Sequence, residues 1–262
     1  DIVMSSTSSK KVYSKREVPF VTQLFTPDWI VKYMIENTLG KYAIEHGANK
    51  KLISKWRYFI DEAIEQKEEI SPKDIKFIDP CSGSGHILVY AFEVLYQIYE
   101  SYGFNKNEIP ALILTNNIYG LDVDDRAGQL SILSVLLKAR EYDKDIFNKK
   151  VIQDLKIMSI QESSNINNID VLKIDDFERE KINKLLKSFD DAKDIGSLLL
   201  LDDVDYSKIK KSINEDDTIF GLELRNRLLP IIKTANMLTK KYDIVVTNPP
   251  YLTNKNMNKK LQ

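Results

Sequence analysis

The chain predicts an α/β protein built on a doubly wound parallel sheet, and three observations carry that. Short apolar β-type runs alternate with amphipathic helical patterns between residues 75 and 160. The first of those runs passes directly into a glycine-rich turn, Asp79-Pro80-Cys-Ser-Gly83-Ser-Gly85. The second ends on an acid, in Tyr-Gly-Leu-Asp122-Val-Asp124-Asp125. A glycine turn after one strand and a carboxylate after the next is the arrangement with which open parallel sheets hold nucleotides at the carboxyl ends of their strands.

In chain order, residues 1–18 are polar. Thr26-Pro27 then reads as a helix start, an N-cap hydroxyl with proline in the first turn. Trp29, Ile30, Tyr33 and Met34 repeat at helical spacing, and Gly40 is expected to stop the run. Residues 41–70 read as one or two further helices, ended by Pro72. Strand 75–79 precedes the turn. Helix 86–102 presents Leu88, Ala91, Phe92, Leu95 and Ile98 on one face. Strand 117–122 follows a loop with a short helix. Helix 126–140 carries Leu130, Leu133, Leu136 and Leu137, and a third strand is expected at 156–160. The stretch 163–240 breaks this rhythm with an Asn/Asp/Lys-rich, helical pattern. Its part from 175 to 217 holds 13 Asp and Glu against 8 Lys and Arg, a net of −5, so phosphates should repel it. A last strand, 242–247, runs into Asn248. Four regions result: 1–72, 73–162, 163–240 and 241–262.

Composition narrows the functional classes. With 43% apolar and 29% charged residues, the 262-residue chain reads as a soluble globular protein. No apolar stretch approaches the ~20 residues of a membrane span. A single cysteine, Cys81, excludes an internal disulfide and suits a cytoplasmic location. With two histidines, His46 and His86, it makes no zinc cluster, and no metal is expected. A net charge of −1 is low for a free-standing DNA-binding domain.

The chemistry lies in two motifs. In the glycine turn, Gly83 and Gly85 allow close approach to the backbone, and the following helix offers free N–H groups to an anion. That suits the carboxylate of S-adenosylmethionine, with Asp79 on its cationic methionyl end. A P-loop fails for want of a following Lys-Ser/Thr, and a dinucleotide fingerprint fails at Leu88. Asp122 is expected on the ribose hydroxyls, the other reading being a cap on the next helix; Asp124 and Asp125 read as helix-start acids. Glu162, beyond the third strand, is the choice for reading the cofactor's adenine amine, and a solvated loop acid fits that position equally well. His86 reads as a helix-terminal packing residue.

The second motif, Asn248-Pro249-Pro250-Tyr251, follows an apolar strand. Asn248 offers a side-chain carbonyl, Pro249 a backbone carbonyl and Tyr251 a stacking face, which together can grip a planar amino group. Two carbonyls accepting both N–H bonds free the amine's lone pair to attack an in-line sulfonium methyl, by positioning and electrostatics in a dry pocket. A base in a duplex reaches such a pocket only by flipping out. Lys255, Lys259 and Lys260 either touch phosphates or form a solvated tail.

These residues resemble the N6-adenine DNA methyltransferases in which a Thr-Pro helix, a glycine loop, a ribose acid and Asn-Pro-Pro-Tyr follow in this order. The flanks are similar to the PglX methyltransferases of BREX phage-defence systems: Gln23-Leu-Phe-Thr-Pro-Asp-Trp-Ile-Val, Asp79-Pro-Cys-Ser-Gly-Ser-Gly-His-Ile-Leu, Gly120-Leu-Asp-Val-Asp-Asp-Arg-Ala and Val246-Thr-Asn-Pro-Pro-Tyr. The resemblance implies a Rossmann-like S-adenosylmethionine-dependent methyltransferase fold. It implies S-adenosylmethionine as donor, with Thr26 and Pro27 joining Asp79, Pro80, Gly83, Gly85, Asp122 and Glu162 around it. It implies adenine N6 in double-stranded DNA as acceptor, other defence-system proteins as partners, and no membrane. Such proteins are longer, with more strands and a target-recognition domain after the catalytic turn. This chain stops eleven residues past Tyr251, so a fragment with an incomplete sheet is expected. Two other readings share the motifs: methylation of a protein glutamine amide or an RNA guanine amine, and a non-catalytic interaction module.

Overall fold

The computed structural model describes residues 26–249 apart from positions 63, 165, 167, 168 and 217. Pro250, Tyr251 and the three lysines at 255, 259 and 260 lie outside the described residues, as does the polar segment 1–18. The chain divides into two compact units. One runs to Ser159 and resumes at Lys241, and the other contains Ile160–Lys240.

The first unit is a four-stranded parallel sheet in the order β3-β2-β1-β4, with β1 at Phe77–Asp79, β2 at Ile118–Asp122, β3 at Lys156–Ser159 and β4 at Ile244–Val245. In register, Asp79 sits beside Gly120, Asp122 beside Ser159, and Ile78 beside Val245. Strand order reverses between β1 and β4, so the loops leaving those two strands flank the switch point where such sheets bind ligands. The expected strands 75–79, 117–122, 156–160 and 242–247 each contain an observed one. Asn117 falls outside β2 because its backbone is still helical, with φ −106° and ψ −44°, as the C-cap of the preceding helix, and its side chain is fully buried. Its Nδ2 donates to the carbonyls of Pro72 and Ile75 at 2.7 and 2.8 Å, and its Oδ1 accepts from Tyr99 at 2.9 Å.

The helices of this unit are α1 (Asp28–Ile35), α2 (Lys41–Glu45), α3 (His86–Ser101), α4 (Ile109–Asn116) and α5 (Asp125–Tyr142). The α3 helix packs on β1 and β2 and is flanked by α1, α4 and α5. It is therefore buried on more than the one face its periodicity gave, with Val94, Tyr96 and Tyr99 covered as well. Each fully buried Phe92 or Leu95 contributes about 1.5–3 kcal/mol. Gly120 in β2 allows the close approach: a Cβ there would lie 2.6 Å from Leu88 Cδ1.

Four sequence expectations are corrected. The buried stripe of α1 is Val31 and Ile35, continued by Leu39, whereas Trp29 and Tyr33 are exposed. Gly40 does not stop the helix, because the chain passes through a π-helical turn at Glu36–Gly40 directly into α2. Glycine is needed there for another reason: a Cβ would meet the Trp56 ring at 2.9 Å. After the 3-10 turn at Lys50–Lys55, the described residues of 56–70 hold no helix. In α5 only Leu136 of the four leucines is buried; the inward face is Ala127, Ser131, Val135 and Ala139, small enough to lie against β2 and β3.

The second unit is helical: α6 (Asp176–Ser188), α7 (Ala192–Ile195), α8 (Ser207–Glu215) and α9 (Ile219–Thr239). Asp175 caps α6 by accepting from Glu178 N at 2.9 Å, and Thr218 caps α9 by accepting from Gly221 N at 3.1 Å. Ile209 and Ile213 of α8 and Leu224, Leu228 and Ile231 of α9 are buried where these two helices pack.

Candidate active site

The glycine turn is held almost wholly by its own neighbourhood. Asp79, fully buried at the end of β1, accepts from Cys81 N at 3.1 Å through Oδ1. Ser82 N donates to Leu121 O on β2 at 2.8 Å, and Gly85 N to Ser82 O at 2.8 Å. Pro80 occupies the turn directly after the strand. Gly83 and Gly85 have φ of 52° and 87°, the left-handed region that favours glycine. Gly85 is constrained twice, since a Cβ there would meet Ser131 Oγ at 2.8 Å and Ser131 Cα at 2.9 Å. A Cβ at Gly83 would meet only open space, so that face of the loop backbone is free for a ligand. Gly85 ends the turn, and α3 begins at His86 with no side-chain cap. Its first-turn amides therefore face forward from a helix N-terminus.

Asp122 has a role that spacing did not reveal. Its Oδ2 accepts from Gly83 N at 2.8 Å and its Oδ1 from Asp124 N at 2.9 Å, so it ties the glycine turn to β2. Burial pushes its carboxyl up, and the backbone N–H bonds pull against that. Each oxygen retains a lone pair for a hydroxyl donor. The cap on α5 is Asp124, which accepts from Arg126 N at 2.7 Å. Asp122 therefore does not cap that helix.

The Thr26 expectation is corrected. Helix α1 is capped by Pro27, whose carbonyl accepts from Ile30 N at 2.9 Å, and no side chain caps it. Thr26 instead meets the other motif: Asn248 Nδ2 donates to Thr26 Oγ1 at 2.9 Å. That contact turns the Asn248 amide so that Oδ1 is left to accept from a ligand. Pro249 follows and is exposed.

Behind Asn248, β4 is anchored at its other end by Asp243. Its carboxylate accepts from Lys76 N at 2.7 Å and from the Tyr42 hydroxyl at 3.1 Å. Burial first, and Asp243 second, push the Tyr42 hydroxyl up to about 12.

The donor set fits a small polar ligand with a cationic end. Four of the buried side-chain polar atoms without a hydrogen-bond partner of good geometry among the described residues, Asp79 Oδ2, Ser82 Oγ, Ser131 Oγ and Thr247 Oγ1, lie on or beside the glycine turn. Burial pushes the Asp79 carboxyl up to about 7, with Thr247 and the Cys81 amide acting the other way and Asp122 adding to the rise. Such a group gains from a nearby cation. Glu162 falls in the second unit, half-buried, three residues beyond the end of β3.

A cleft of about 680 Å3 starts at Thr26 and His86 and runs along the outer face of α3 past Tyr90. On its wall Glu36 is 1% exposed, accepting from the Tyr90 hydroxyl at 2.7 Å and from Tyr58 N at 2.6 Å. Burial and the Glu36 bond raise the Tyr90 hydroxyl far above its usual range. Sequence reasoning missed this pair. The only signal was an acid at the register of the apolar stripe, four positions from Lys32 and one from Ile35.

A parallel sheet with this order, a glycine turn after β1, an acid ending β2 and an Asn-Pro turn after β4 defines a Rossmann-like methyltransferase fold. The chain belongs to the Eco57I restriction-modification methylase family, whose model matches residues 116–262. It is 34% identical over 95% of its length to a protein of Escherichia coli O9:H4 (strain HS) named adenine-specific methyltransferase BrxX, covering 24% of that protein. It is 34% identical over 96% of its length to one of Lacticaseibacillus casei (strain Zhang) named adenine-specific methyltransferase PglX, covering 23% of it. The chain thus spans about a quarter of the length of these curated relatives. No helix among the described residues is long and apolar enough to cross a membrane.

Proposed function

We propose that this chain is the cofactor-binding and catalytic core of an adenine-specific DNA methyltransferase that modifies N6 in a phage-defence or restriction-modification setting inside the cell. The observation that carries the reading is the Asn248–Thr26 bond, because it engages the amide nitrogen beside the switch point of the sheet and so leaves the amide oxygen as the acceptor. The names of the two relatives support adenine as the target base, and the restriction-modification family supports DNA as the setting.

Bound S-adenosylmethionine supplies an electrophilic methyl group on a sulfonium. The residues do the rest. The glycine turn and the first-turn amides of α3 hold the carboxylate, with Pro80 shaping the turn, and Asp79 neutralises the cationic methionyl end. Asp122 accepts the ribose hydroxyls while keeping Gly83 in place, and Glu162 accepts from the cofactor's adenine amine. Thr26 and Pro27 set the edge of the donor site through Asn248. Asn248 Oδ1 and the Pro249 carbonyl accept the two N–H bonds of the target amine, Pro250 stiffens the turn and Tyr251 stacks on the flipped base. In this reading residues 1–72 bring the Thr-Pro helix, 73–162 hold the donor, 163–240 form an acidic insertion that phosphates repel, and 241–262 carry the catalytic turn. Recognition of the double-stranded target belongs to a further domain, and other defence proteins use the mark.

Transfer of tritiated methyl groups to DNA by the full-length protein tests this. Asn248→Ala should lower the rate by about 10²–10³-fold while leaving cofactor affinity unchanged. An unchanged rate would remove Asn248 from the chemistry. Transfer to RNA or protein in place of DNA would reassign the acceptor.

A further inference from the structure

Two side-chain hydrogen bonds close a ring of elements around the site. On one side β4 pairs with β1, so the strand that runs into Asn248 lies beside the strand that runs into the glycine turn. On the other side the segment that carries Thr26 is held to that same turn. Thr26 leads through Pro27 into α1, and α1 packs on α3, the helix that begins where the glycine turn ends. The buried stripe of α1, Val31 and Ile35, holds the helices together, but apolar contact is non-directional and does not fix their register. The directional contact comes from the π-helical turn after α1: Glu36 Oε1 accepts from the hydroxyl of Tyr90, in the second turn of α3, at 2.7 Å. The Glu36 carboxylate is itself fixed, being 1% exposed and accepting from Tyr58 N at 2.6 Å through Oε2. Asn37 grips the same segment, its Nδ2 donating to Tyr58 O at 2.8 Å and its Oδ1 accepting from Ile60 N at 2.8 Å. Trp56 ties that segment to α3, donating from Nε1 to Gln97 Oε1 at 2.8 Å. Single π-helical turns of this kind recur at functional sites.

We infer that Glu36 and Tyr90 are a positioning pair: their bond sets the register of α1 on α3, and so places Thr26, and the Asn248 amide tethered to it, against the glycine turn. The inference rests on the reading of Asn248 above, and neither residue of the pair touches the reacting atoms in it. An O–H bond to a carboxylate is short and directional, which suits it to fixing a register that apolar packing leaves open. The leverage is large, because a misplacement of about 1 Å far from the chemistry can slow a reaction by about 10²-fold.

A double-mutant cycle on the full-length protein tests this, with single-turnover methyl transfer to DNA as the rate and S-adenosylmethionine affinity measured alongside by calorimetry. Tyr90→Phe keeps the ring and removes only the hydroxyl. It should slow transfer by about tenfold while changing affinity by less than about twofold. Combined with Thr26→Val it should add nothing, the double variant being as slow as Thr26→Val alone, because Tyr90 acts through Thr26. Should Tyr90→Phe not fold, Glu36→Asp, which draws the carboxylate back by one methylene, makes the same comparison. A Tyr90→Phe rate equal to wild type, an affinity loss as large as the rate loss, or reductions that multiply in the double variant would each overturn the inference and leave the reading of Asn248 standing. Thr26→Val at the wild-type rate would overturn both, since the tether carries them.

Discussion

The glycine turn and the Asn248 turn leave adjacent strands at the same end of the sheet, but they are held in opposite ways. Four hydrogen bonds fix the glycine turn: Cys81 to Asp79, Gly85 to Ser82, Ser82 to Leu121 and Gly83 to Asp122. All stay within the motif or reach the next strand. Asn248 is fixed by its side chain, through Thr26, a residue 222 positions away. The glycine turn, the proposed donor site, is thus a rigid local construction, whereas the Asn248 turn, the proposed acceptor site, exists only when the two ends of the first unit are brought together. A substitution in the first should damage folding and cofactor binding alike. One in the second should leave both and damage transfer.

Gly85→Ala presses hardest on that contrast. It forces a left-handed φ on alanine and drives a methyl group into Ser131. Stability should fall by about 3 kcal/mol, with cofactor binding lost, as read by urea unfolding and calorimetry. A loss under about 1 kcal/mol would mean that α5 yields easily and that the turn is less rigid than its bonds indicate. Thr26→Val keeps the size of the residue and removes the acceptor for Asn248 Nδ2. Methyl transfer by the full-length protein should drop by about 10- to 100-fold, with the unfolding midpoint nearly unchanged and cofactor affinity falling much less than the rate. If affinity falls as much as the rate, Thr26 serves the donor site alone and the contrast collapses. Asp124→Ala is the mildest: losing the α5 cap should cost about 1 kcal/mol without altering cofactor affinity. A large loss of affinity would move Asp124 from cap to ligand.

The same contrast explains what could be read from the sequence. The strands and the glycine turn were legible because their determinants are contiguous: an apolar run, then Asp-Pro, then glycines where φ is positive. Asp124 as a helix-start acid was legible for the same reason. The tether between Thr26 and Asn248 was not, because a threonine before a proline reads as a cap at short range and nothing local says otherwise. The π-helical turn at Glu36–Gly40 was hidden by a 3.6-residue template, which turned Gly40 into a stop and left Glu36 unremarked beside Tyr90. In α5 the leucines drew attention by size. Close approach to β2 and β3, however, selects small residues, so Ala127, Ser131 and Ala139 face inward and Leu130, Leu133 and Leu137 do not. Apolar content marks a helix face only where the neighbouring layer leaves room for it.

The pairing of Phe77 with Ile244 also orders events in time. A ribosome delivers β1, β2 and β3 before it has begun the helices of the second unit, and β4 comes only after them. The glycine turn has its partners on β2 early, whereas the Asn248 turn, and the β1–β4 pairing with it, waits on a closure of long span. On the function proposed above, a nascent chain completes the part that would hold a methyl donor before the part that would use it, and the length of the intervening segment sets the delay.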